Sequence, residues 1–315
     1  MTQERPFVSI ILPVYNEEQY LEQCLKKLSE LSYPRDHYEV IVVDNGSTDS
    51  SMEIAQRYAD QCLLIVDVNV GAVRNFGVKH ASGSILTFLD SDCLVPSDWL
   101  DSGTERILNN PNHVYGGNLY LRQRPAWVEK YWLLDNENAP LRQKDLLGSC
   151  IFIQKQHFEN ASGFNESVTS GEDSELSLTL KSIGHTVVID RALGVVHLGN
   201  PTNISGFLKR QIWHSENYLN KISSSLSDIT FWLVAAYLVT IPGFLYLFVE
   251  QNIYTLSTAV LFLTLPTILS AKRVIRSQYK IDSALSLISI FLIDHLYLAG
   301  RSLGLVKSLF KLIKS

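Results

Sequence analysis

Two carboxylates separated by one residue, Asp90 and Asp92, directly follow an apolar segment, 85–89, that we predict to be a buried strand. Side chains at positions i and i+2 leave a strand on the same side and can converge on one cation. Carboxylate oxygens suit Mg²⁺ and Mn²⁺, and Mg²⁺ usually completes its shell with phosphate oxygens and water. The pair therefore indicates a divalent-metal site that also binds a diphosphate. Most isolated pairs of this kind are solvated turns, so the assignment depends on the rest of the sequence.

A second acidic pair, Glu172 and Asp173, follows Gly171 at the start of a predicted helix, 174–183. A carboxylate there can act as a general base that removes a proton from a hydroxyl group. The alternative is structural, because acidic side chains stabilise the first turn of a helix through its dipole. The pair alone does not decide between the two roles.

Four short apolar segments in the first 90 residues are typical of buried strands: 7–12, 39–43, 63–66 and 85–89. Helical patterns separate them, and we expect the helices to begin at Asn16 as an N-cap and to occupy 49–60 and 71–80. This alternation predicts a parallel, doubly wound α/β sheet, in which ligands bind beyond the carboxyl ends of the strands. Further strands are expected at 114–121, 146–153, 186–190 and 195–197.

Three more segments lie at these strand ends. Residues 13–17 read PVYNE, residues 42–49 read VVDNGSTD, and residues 69–77 read NVGAVRNFG. Together with the Asp90–Asp92 pair, they resemble in order and spacing the nucleotide-sugar half of the family 2 glycosyltransferases. That family has the GT-A fold, a Rossmann-like α/β domain with a mostly parallel sheet. The resemblance covers roughly residues 6–200 and includes a GFNE segment at 163–166.

The resemblance implies a set of donor-binding residues at the strand ends. Asp44 is expected to hydrogen-bond the nucleobase, most often uracil, although a turn that serves Ser47 would also explain it. Arg74 is expected to pair with a diphosphate oxygen or with Asp90. The implied set is Pro13, Tyr15, Glu17, Asp44, Gly71, Arg74, Asp90 and Ser91.

The resemblance also implies the metal ligands and the base. Asp90 and Asp92 would hold Mg²⁺ or Mn²⁺, and His197, at the end of a short apolar segment, is a further candidate ligand. Asp173 would deprotonate the acceptor, and Glu172 would orient the acceptor or Asp173. A structural role for His197 remains open, because an isolated histidine is more often a satisfied structural residue.

The C-terminal part differs in character. Residues 229–249 and 253–271 contain no charged residue and are long enough to span a bilayer, while 283–299 is interrupted by Asp294 and His295. We therefore predict a glycosyltransferase domain at 1–228 and a membrane-anchoring region at 229–315. A tight hairpin is expected at 250–252.

Charge follows the same division. Residues 1–228 carry 19 Lys and Arg against 29 Asp and Glu, and residues 229–315 carry 8 against 3. The formal net charge of −5 argues against nucleic acid as a partner. Lysines and arginines flank the first two predicted spans, so the positive-inside rule places residues 1–228 and the loop at 272–280 in the cytoplasm. The third segment either spans or lies at the interface, and its basic end favours the interface.

These features predict an inverting, metal-dependent enzyme at the cytoplasmic face of the cell membrane. It would transfer a single sugar from a nucleotide sugar, preferably a UDP-sugar, to a lipid-linked or saccharide acceptor in lipid-linked saccharide, polysaccharide or glycolipid synthesis. The QxxRW motif of the processive members is missing at the matching stretch, 210–214. A nucleotidyltransferase and a non-catalytic sugar-nucleotide sensor are the alternatives.

Overall fold

The computed structural model describes residues 5–135, 141, 143–168, 170–216, 218–219, 225–226, 228–250 and 252–314. The chain divides into two compact units. The first comprises Met1–Arg122 and Leu141–Gly199, and the second comprises Gln123–Pro140 and Asn200–Ser315. A functional boundary between residues 228 and 229 stays a prediction.

The first unit is built on an eight-stranded sheet with the strand order β3-β2-β1-β4-β7-β6-β8-β5. Strands β1 to β4 form a parallel set, as the sequence predicts. Strand β7 is antiparallel to both of its neighbours, β6 and β8 are parallel, and β5 is antiparallel to β8, so the complete sheet is mixed. The strands are β1 (Val8–Val14), β2 (Tyr38–Asp44), β3 (Gln61–Leu64), β4 (Ile85–Leu89), β5 (Cys93–Leu94), β6 (His113–Tyr120), β7 (Cys150–Gln154) and β8 (Thr186–His197).

Helices cover both faces of this sheet, which explains the uninterrupted apolar runs of its central strands. Along β1, Ile10 and Leu12 belong to one hydrophobic core, while Ile11 belongs to the other. The helices of this unit are α1 (Leu21–Ser29), α2 (Ser51–Ala55), α3 (Val70–His80), α4 (Trp99–Asn109), α6 (Lys155–Asn160) and α7 (Glu172–Ser182).

Several sequence-based boundaries are wrong. Helix α1 begins at Leu21, because Asn16 adopts a left-handed conformation with φ of 55° and its Oδ1 accepts a hydrogen bond from Thr48 N at 2.8 Å. Helix α2 is much shorter than the predicted 49–60, and β7 begins only at Cys150. The two short strands predicted at 186–190 and 195–197 form the single strand β8.

The second unit is helical. Its helices are α5 (Trp127–Leu133), α8 (Ile204–Ser215), α9 (Ile229–Tyr246), α10 (Ile253–Ser277) and α11 (Ala284–Lys314). Three of these, α9, α10 and α11, are long and apolar enough to cross a membrane. The predicted third segment is thus part of one continuous helix of 31 residues. The predicted hairpin at 250–252 includes residue 251, which lies outside the described residues.

Large apolar side chains on these long helices are exposed, as a lipid-facing surface requires. Val239, Ile253 and Ile275 are 75%, 70% and 73% exposed. Where α9 meets α10, a Cβ at Gly243 would lie 2.2 Å from Thr258 Oγ1, so glycine permits the close approach of the two helices. Both features favour a membrane environment for this unit.

Candidate active site

The carboxyl ends of several strands bring polar residues to one edge of the sheet. Asp90 and Asp92 follow β4, and β8 ends at His197. Strand β5 begins directly after Asp92, and its antiparallel pairing with β8 places Cys93 opposite His197. The register therefore joins two segments that are more than 100 residues apart in sequence, and it brings the candidate metal ligands together.

Asp92 and His197 form the centre of a candidate metal site. Asp92 Oδ2 lies 3.3 Å from His197 Nε2, and Cys93 Sγ lies 3.6 Å from Asp92 Oδ1. One donor atom from each of these three residues lies within 4.8 Å of the others. A Cβ at residue 199 would fall 1.9 Å from Asp92 Oδ2, so Gly199 leaves the room that this carboxylate occupies. The donor set of carboxylate, imidazole and thiol fits a divalent cation.

Asp90, the third predicted ligand, has a different partner. Its Oδ1 accepts a hydrogen bond from Arg74 Nη2 at 2.8 Å, and Asp90 is not among the three clustered donors. Its side chain is 32% exposed. The structure therefore brings Asp92 and His197 together and adds Cys93, whereas Asp90 is turned towards the arginine. Metal binding by the predicted ligands stays a prediction.

Burial and neighbouring negative charge raise the pKa values of Glu17 and Asp92 at this edge. Burial, followed by the charges of Asp92, Asp90 and Asp49, raises the pKa of Glu17 to about 7. Burial also raises the pKa of Asp92, although the neighbouring His197 lowers it in part. A region of crowded negative charge is suited to a cation, because a bound cation stabilises every ionised carboxylate near it.

Arg74 lies at the centre of the buried part of the site. It projects from α3, is 3% exposed, and donates to Asp90 Oδ1 at 2.8 Å and to Glu172 Oε1 at 2.7 Å. A Cβ at Gly148 would lie 2.5 Å from the guanidinium, so that glycine makes room for it. Pairing with Asp90 is one of the two predicted roles of Arg74. The bond to Glu172, 98 residues away, could not be read from local sequence signals.

The two acidic residues at the start of α7 have different environments. Glu172 is buried and paired with Arg74, whereas Asp173 is partly exposed. Asp173 Oδ2 accepts a hydrogen bond from Gly148 N at 3.1 Å, and Oδ1 accepts one from Ser174 N at 2.7 Å. Gly171, with φ of 84°, makes the turn that enters the helix. Of the pair, Asp173 is the one open to an approaching acceptor.

The GFNE segment is anchored to α3. Asn75 Oδ1 accepts from Phe164 N at 2.9 Å, and Asn75 Nδ2 donates to Phe164 O at 2.8 Å and to Glu166 Oε1 at 2.9 Å. A Cβ at Gly71 would lie 3.0 Å from Asn165 O, so the close approach at Gly71 involves this segment. Contact between Gly71 and a donor stays a prediction.

On the nucleoside side, Asp44 ends β2 and is 3% exposed. Its Oδ2 accepts from Gly46 N at 3.1 Å and from Ser47 N at 3.0 Å, and its Oδ1 accepts from Ser47 Oγ. The structural role that the sequence suggested, in a turn with Ser47, is therefore present. The contact with a nucleobase stays a prediction.

The remaining donor candidates differ widely in exposure. Tyr15 is 59% exposed, Pro13 is half-buried within β1 opposite Val43, and Ser91 is 4% exposed. An exposed ring is available to a ligand. Ser91 is buried, so little of its surface is available to a ligand.

Comparison with known proteins identifies a glycosyltransferase domain in the first half of the chain and relates its fold to solved structures. The model of Glycosyl transferase family 2 matches residues 9–154. Glycosyltransferase AglE from Haloferax volcanii is 29% identical over 262 residues, which cover 78% of this chain and 86% of the relative.

Two solved structures share the fold. The mannosyltransferase PcManGT from Pyrobaculum calidifontis, in complex with GDP-Man and Mn²⁺, superposes with a TM-score of 0.58 at 20% identity over 98% of this chain and 88% of its own. GalNAc-T7 with UDP, GalNAc and Mn²⁺ superposes with a TM-score of 0.50 at 14% identity over 70% of this chain and 52% of its own. The mixed sheet is thus a GT-A fold, and this chain contains a domain that matches Glycosyl transferase family 2 over residues 9–154.

Proposed function

We propose that this enzyme transfers a single sugar, with inversion, from a nucleotide-sugar donor to a lipid-linked or saccharide acceptor at the cytoplasmic face of the membrane. The product would serve lipid-linked saccharide, polysaccharide or glycolipid synthesis. The observation that carries this proposal is Arg74, which pairs with Asp90 next to the metal ligands and with Glu172 next to the candidate base. The buried guanidinium of Arg74 thus links the proposed donor-binding half of the site to the proposed acceptor-binding half.

Asp173 is proposed as the general base. Its carboxylate is partly exposed and is fixed by Gly148 N, while its neighbour Glu172 is held by Arg74. A positioned carboxylate that removes the acceptor proton accelerates such a transfer by about 10²- to 10⁴-fold. Glu172 holds the first turn of α7 in place and thereby positions Asp173.

The residues that would hold a divalent cation are Asp92 and His197, with Asp90 nearby. When bound, the cation would neutralise charge on the leaving diphosphate. The chain's own part would be to bind and orient the cation. The pairing of β5 with β8 holds the two candidate ligands Asp92 and His197 next to each other. Both Mg²⁺ and Mn²⁺ fit this role, and the Mn²⁺ in two structural neighbours supports Mn²⁺ as the first ion to test.

The donor is proposed to be a UDP-sugar, on the resemblance of the segment around Asp44 to a uracil-binding turn. The neighbours support nucleotide sugars in general, because one was solved with GDP-Man and another with UDP. A donor screen therefore needs both nucleotides.

Membrane attachment is proposed through α9, α10 and α11. Helices α9 and α10 would cross as a hairpin, and α11 would lie at the surface, because a full third crossing would carry its basic end to the far side. That end contains Arg301, Lys307, Lys311 and Lys314. An engineered C-terminal cysteine, in a Cys62→Ser background, should react with an impermeant maleimide only in inside-out vesicles. Labelling in right-side-out vesicles would contradict the orientation.

The proposed reaction is tested with the purified full-length protein in nanodiscs. Release of nucleoside diphosphate from a panel of UDP- and GDP-sugars is measured with Mn²⁺ or Mg²⁺ and with lipid-phosphate or saccharide acceptors. We expect Asp92→Ala to abolish turnover and Asp173→Asn to lower it by about 10²-fold or more. Asp101→Asn, which changes a carboxylate paired with Arg5, is the matched control and should behave as wild type.

Two results would contradict parts of this proposal. Donor binding without turnover on any acceptor would favour a sensor over an enzyme in the proposed reaction. Full activity of Asp173→Asn with a lipid phosphate would show that the acceptor is already ionised and that no base is needed.

A further inference from the structure

The geometry points to a second property of the strand-end site: we propose that Cys93, together with Asp92 and His197, binds a soft divalent cation such as Zn²⁺. The site would then accept Zn²⁺ in competition with the Mg²⁺ or Mn²⁺ of the proposed reaction. Zn²⁺ bound there would inhibit sugar transfer, because it occupies Asp92 and His197 with a different coordination geometry.

The sheet register places the thiol at the site. Cys93 is the partner of His197 in the antiparallel pair β5–β8, and directly opposed residues project their side chains to the same face. Asp92 precedes β5 by one residue and reaches the same place from the end of the strand. The three donor atoms lie within 4.8 Å of one another, so all three are near enough to contact one ion after small side-chain movements.

Two of the three separations between these residues match tetrahedral zinc. With Zn–N and Zn–O bonds of about 2.0 to 2.1 Å and a Zn–S bond of about 2.3 Å, neighbouring ligand atoms lie about 3.4 Å apart for nitrogen and oxygen and about 3.6 Å apart for sulfur and oxygen. Asp92 Oδ2 lies 3.3 Å from His197 Nε2, and Cys93 Sγ lies 3.6 Å from Asp92 Oδ1. The two contacts use different oxygens of one carboxylate, and one donor atom from each of the three residues lies within 4.8 Å of the others.

The chemistry of the donor set separates the two kinds of ion. Mg²⁺ takes oxygen ligands and gains nothing from sulfur, whereas Zn²⁺ accepts cysteine sulfur, histidine nitrogen and carboxylate oxygen as ligands. On binding, a Zn–S bond forms and the thiol proton of Cys93 is released to solvent, with no change in oxidation state. Open coordination positions would be filled by water.

This inference shares Asp92 and His197 with the proposed function, but it does not require sugar transfer. A failed transfer assay therefore leaves it standing, and a failed zinc assay leaves the transfer proposal standing. The other buried thiol of the same sheet, Cys150, provides a matched control, because its Sγ donates to Leu193 O at 3.1 Å and is not among the three clustered donors.

Co²⁺ is the spectroscopic probe, added to the full-length protein in nanodiscs without substrate. A thiolate ligand produces a sulfur-to-cobalt charge-transfer band in the near ultraviolet, which neither carboxylate nor imidazole produces. We expect this band in the wild type, its retention in Cys150→Ser, and its loss in Cys93→Ser and Cys93→Ala. Competition with Zn²⁺ should bleach the band, and zinc affinity should fall by about 100-fold in the Cys93 variants.

Absence of the band in the wild-type protein would overturn the proposal, whatever the variants do. Retention of the band in either Cys93 variant would overturn it as well. Circular dichroism and Mn²⁺ binding, measured by electron paramagnetic resonance, report whether each variant is folded and still holds a hard cation. Retained Mn²⁺ binding with a lost cobalt band assigns the soft-metal preference to the thiol.

Discussion

Each of the two compact units contains an arginine paired with a carboxylate, and the two carboxylates differ in how completely they are enclosed. In the helical unit, Arg273 pairs with Asp294 at 2.5 Å, and Asp294 is fully buried. Arg273 also donates to the carbonyl oxygens of Tyr131 and Trp132, and Ser270 Oγ donates to Asp294 Oδ2 at 2.7 Å. Every part of this network joins one helix to another.

In the sheet unit, Arg74 pairs with two carboxylates, and the network is open on one side. Asp90 is 32% exposed, and the Nε of Arg74 has no hydrogen-bond partner in the part of the chain that the structure describes. The carboxylate of Asp294 is closed to any ligand, whereas the carboxylate of Asp90 lies at an open edge where a ligand can reach it. The comparison therefore distinguishes an arginine network that links helices from one that borders the candidate site.

The largest effect is expected for Arg74→Ala. The substitution leaves Glu172 buried without its partner, which costs about 3 to 5 kcal/mol of stability for a broken buried pair. Sugar transfer should fall on the order of 10³-fold, since both halves of the site lose their common partner. Initial rates and urea midpoints measure the two effects. Arg74→Lys keeps the charge but cannot donate to both carboxylates in the same geometry, so its rate and urea midpoint should lie between those of wild type and Arg74→Ala. A rate within threefold of wild type for Arg74→Ala would contradict the assignment.

Arg273→Ala should destabilise the helical unit by a similar amount, about 3 to 5 kcal/mol, and leave nucleotide and metal binding unchanged. The double variant Arg273→Met/Asp294→Leu should recover most of that stability, because well-packed apolar side chains often replace a buried ion pair without loss. Thermal midpoints in nanodiscs measure this. A double variant as unstable as the single one would show that the Arg273 network does more than join helices.

Gly199→Ala is expected to weaken metal binding by about 10-fold, because the new Cβ would meet Asp92 Oδ2 and displace a candidate ligand. Mn²⁺ titration measures this effect. Gly206→Ala is the control, since the nearest atom to its Cβ would be Asn203 Oδ1, at an ordinary contact distance of 3.5 Å. Equal Mn²⁺ affinity in both variants would argue against Asp92 as a ligand.

The smallest effect concerns Glu17, whose pKa rises from 4.5 to about 7 in the fold. Between those two values the Glu17 carboxyl group keeps its proton in the native state and has lost it in the unfolded state. The contribution of the protonated carboxyl group to the free energy of unfolding is therefore complete below pH 4.5 and is lost as the pH rises through about 7. Glu17→Gln should therefore flatten the pH dependence of unfolding in this window. Urea midpoints from pH 4.5 to 8, measured with a chelator, test it, and an unchanged slope would contradict the raised pKa. Because Glu17 is only half-buried, the effect should be modest.

The elements that could be predicted are those with a strong local signal. The first four strands alternate with helices and end in polar residues, and the parallel set β1 to β4 follows from that pattern. The predicted N-cap at Asn16 is wrong, because the Asn16 side chain accepts a hydrogen bond from Thr48 N instead. Local sequence does not show that these two residues are neighbours. The partners of the aromatic side chains on α5 could not be predicted from local sequence either. Trp132 stacks on Tyr297, with 5.0 Å between the ring centres.

The residue types at the strand ends and the positions of the long apolar helices can be predicted locally, because both depend on short-range periodicity. Which of those residues meet depends on the tertiary fold. The pairing of β5 with β8 brings Cys93 to His197, and the packing of α3 against the start of α7 commits Glu172 to Arg74 and leaves Asp173 partly exposed. Contacts between residues about 100 positions apart follow from strand order and register, and those are properties of the whole sheet.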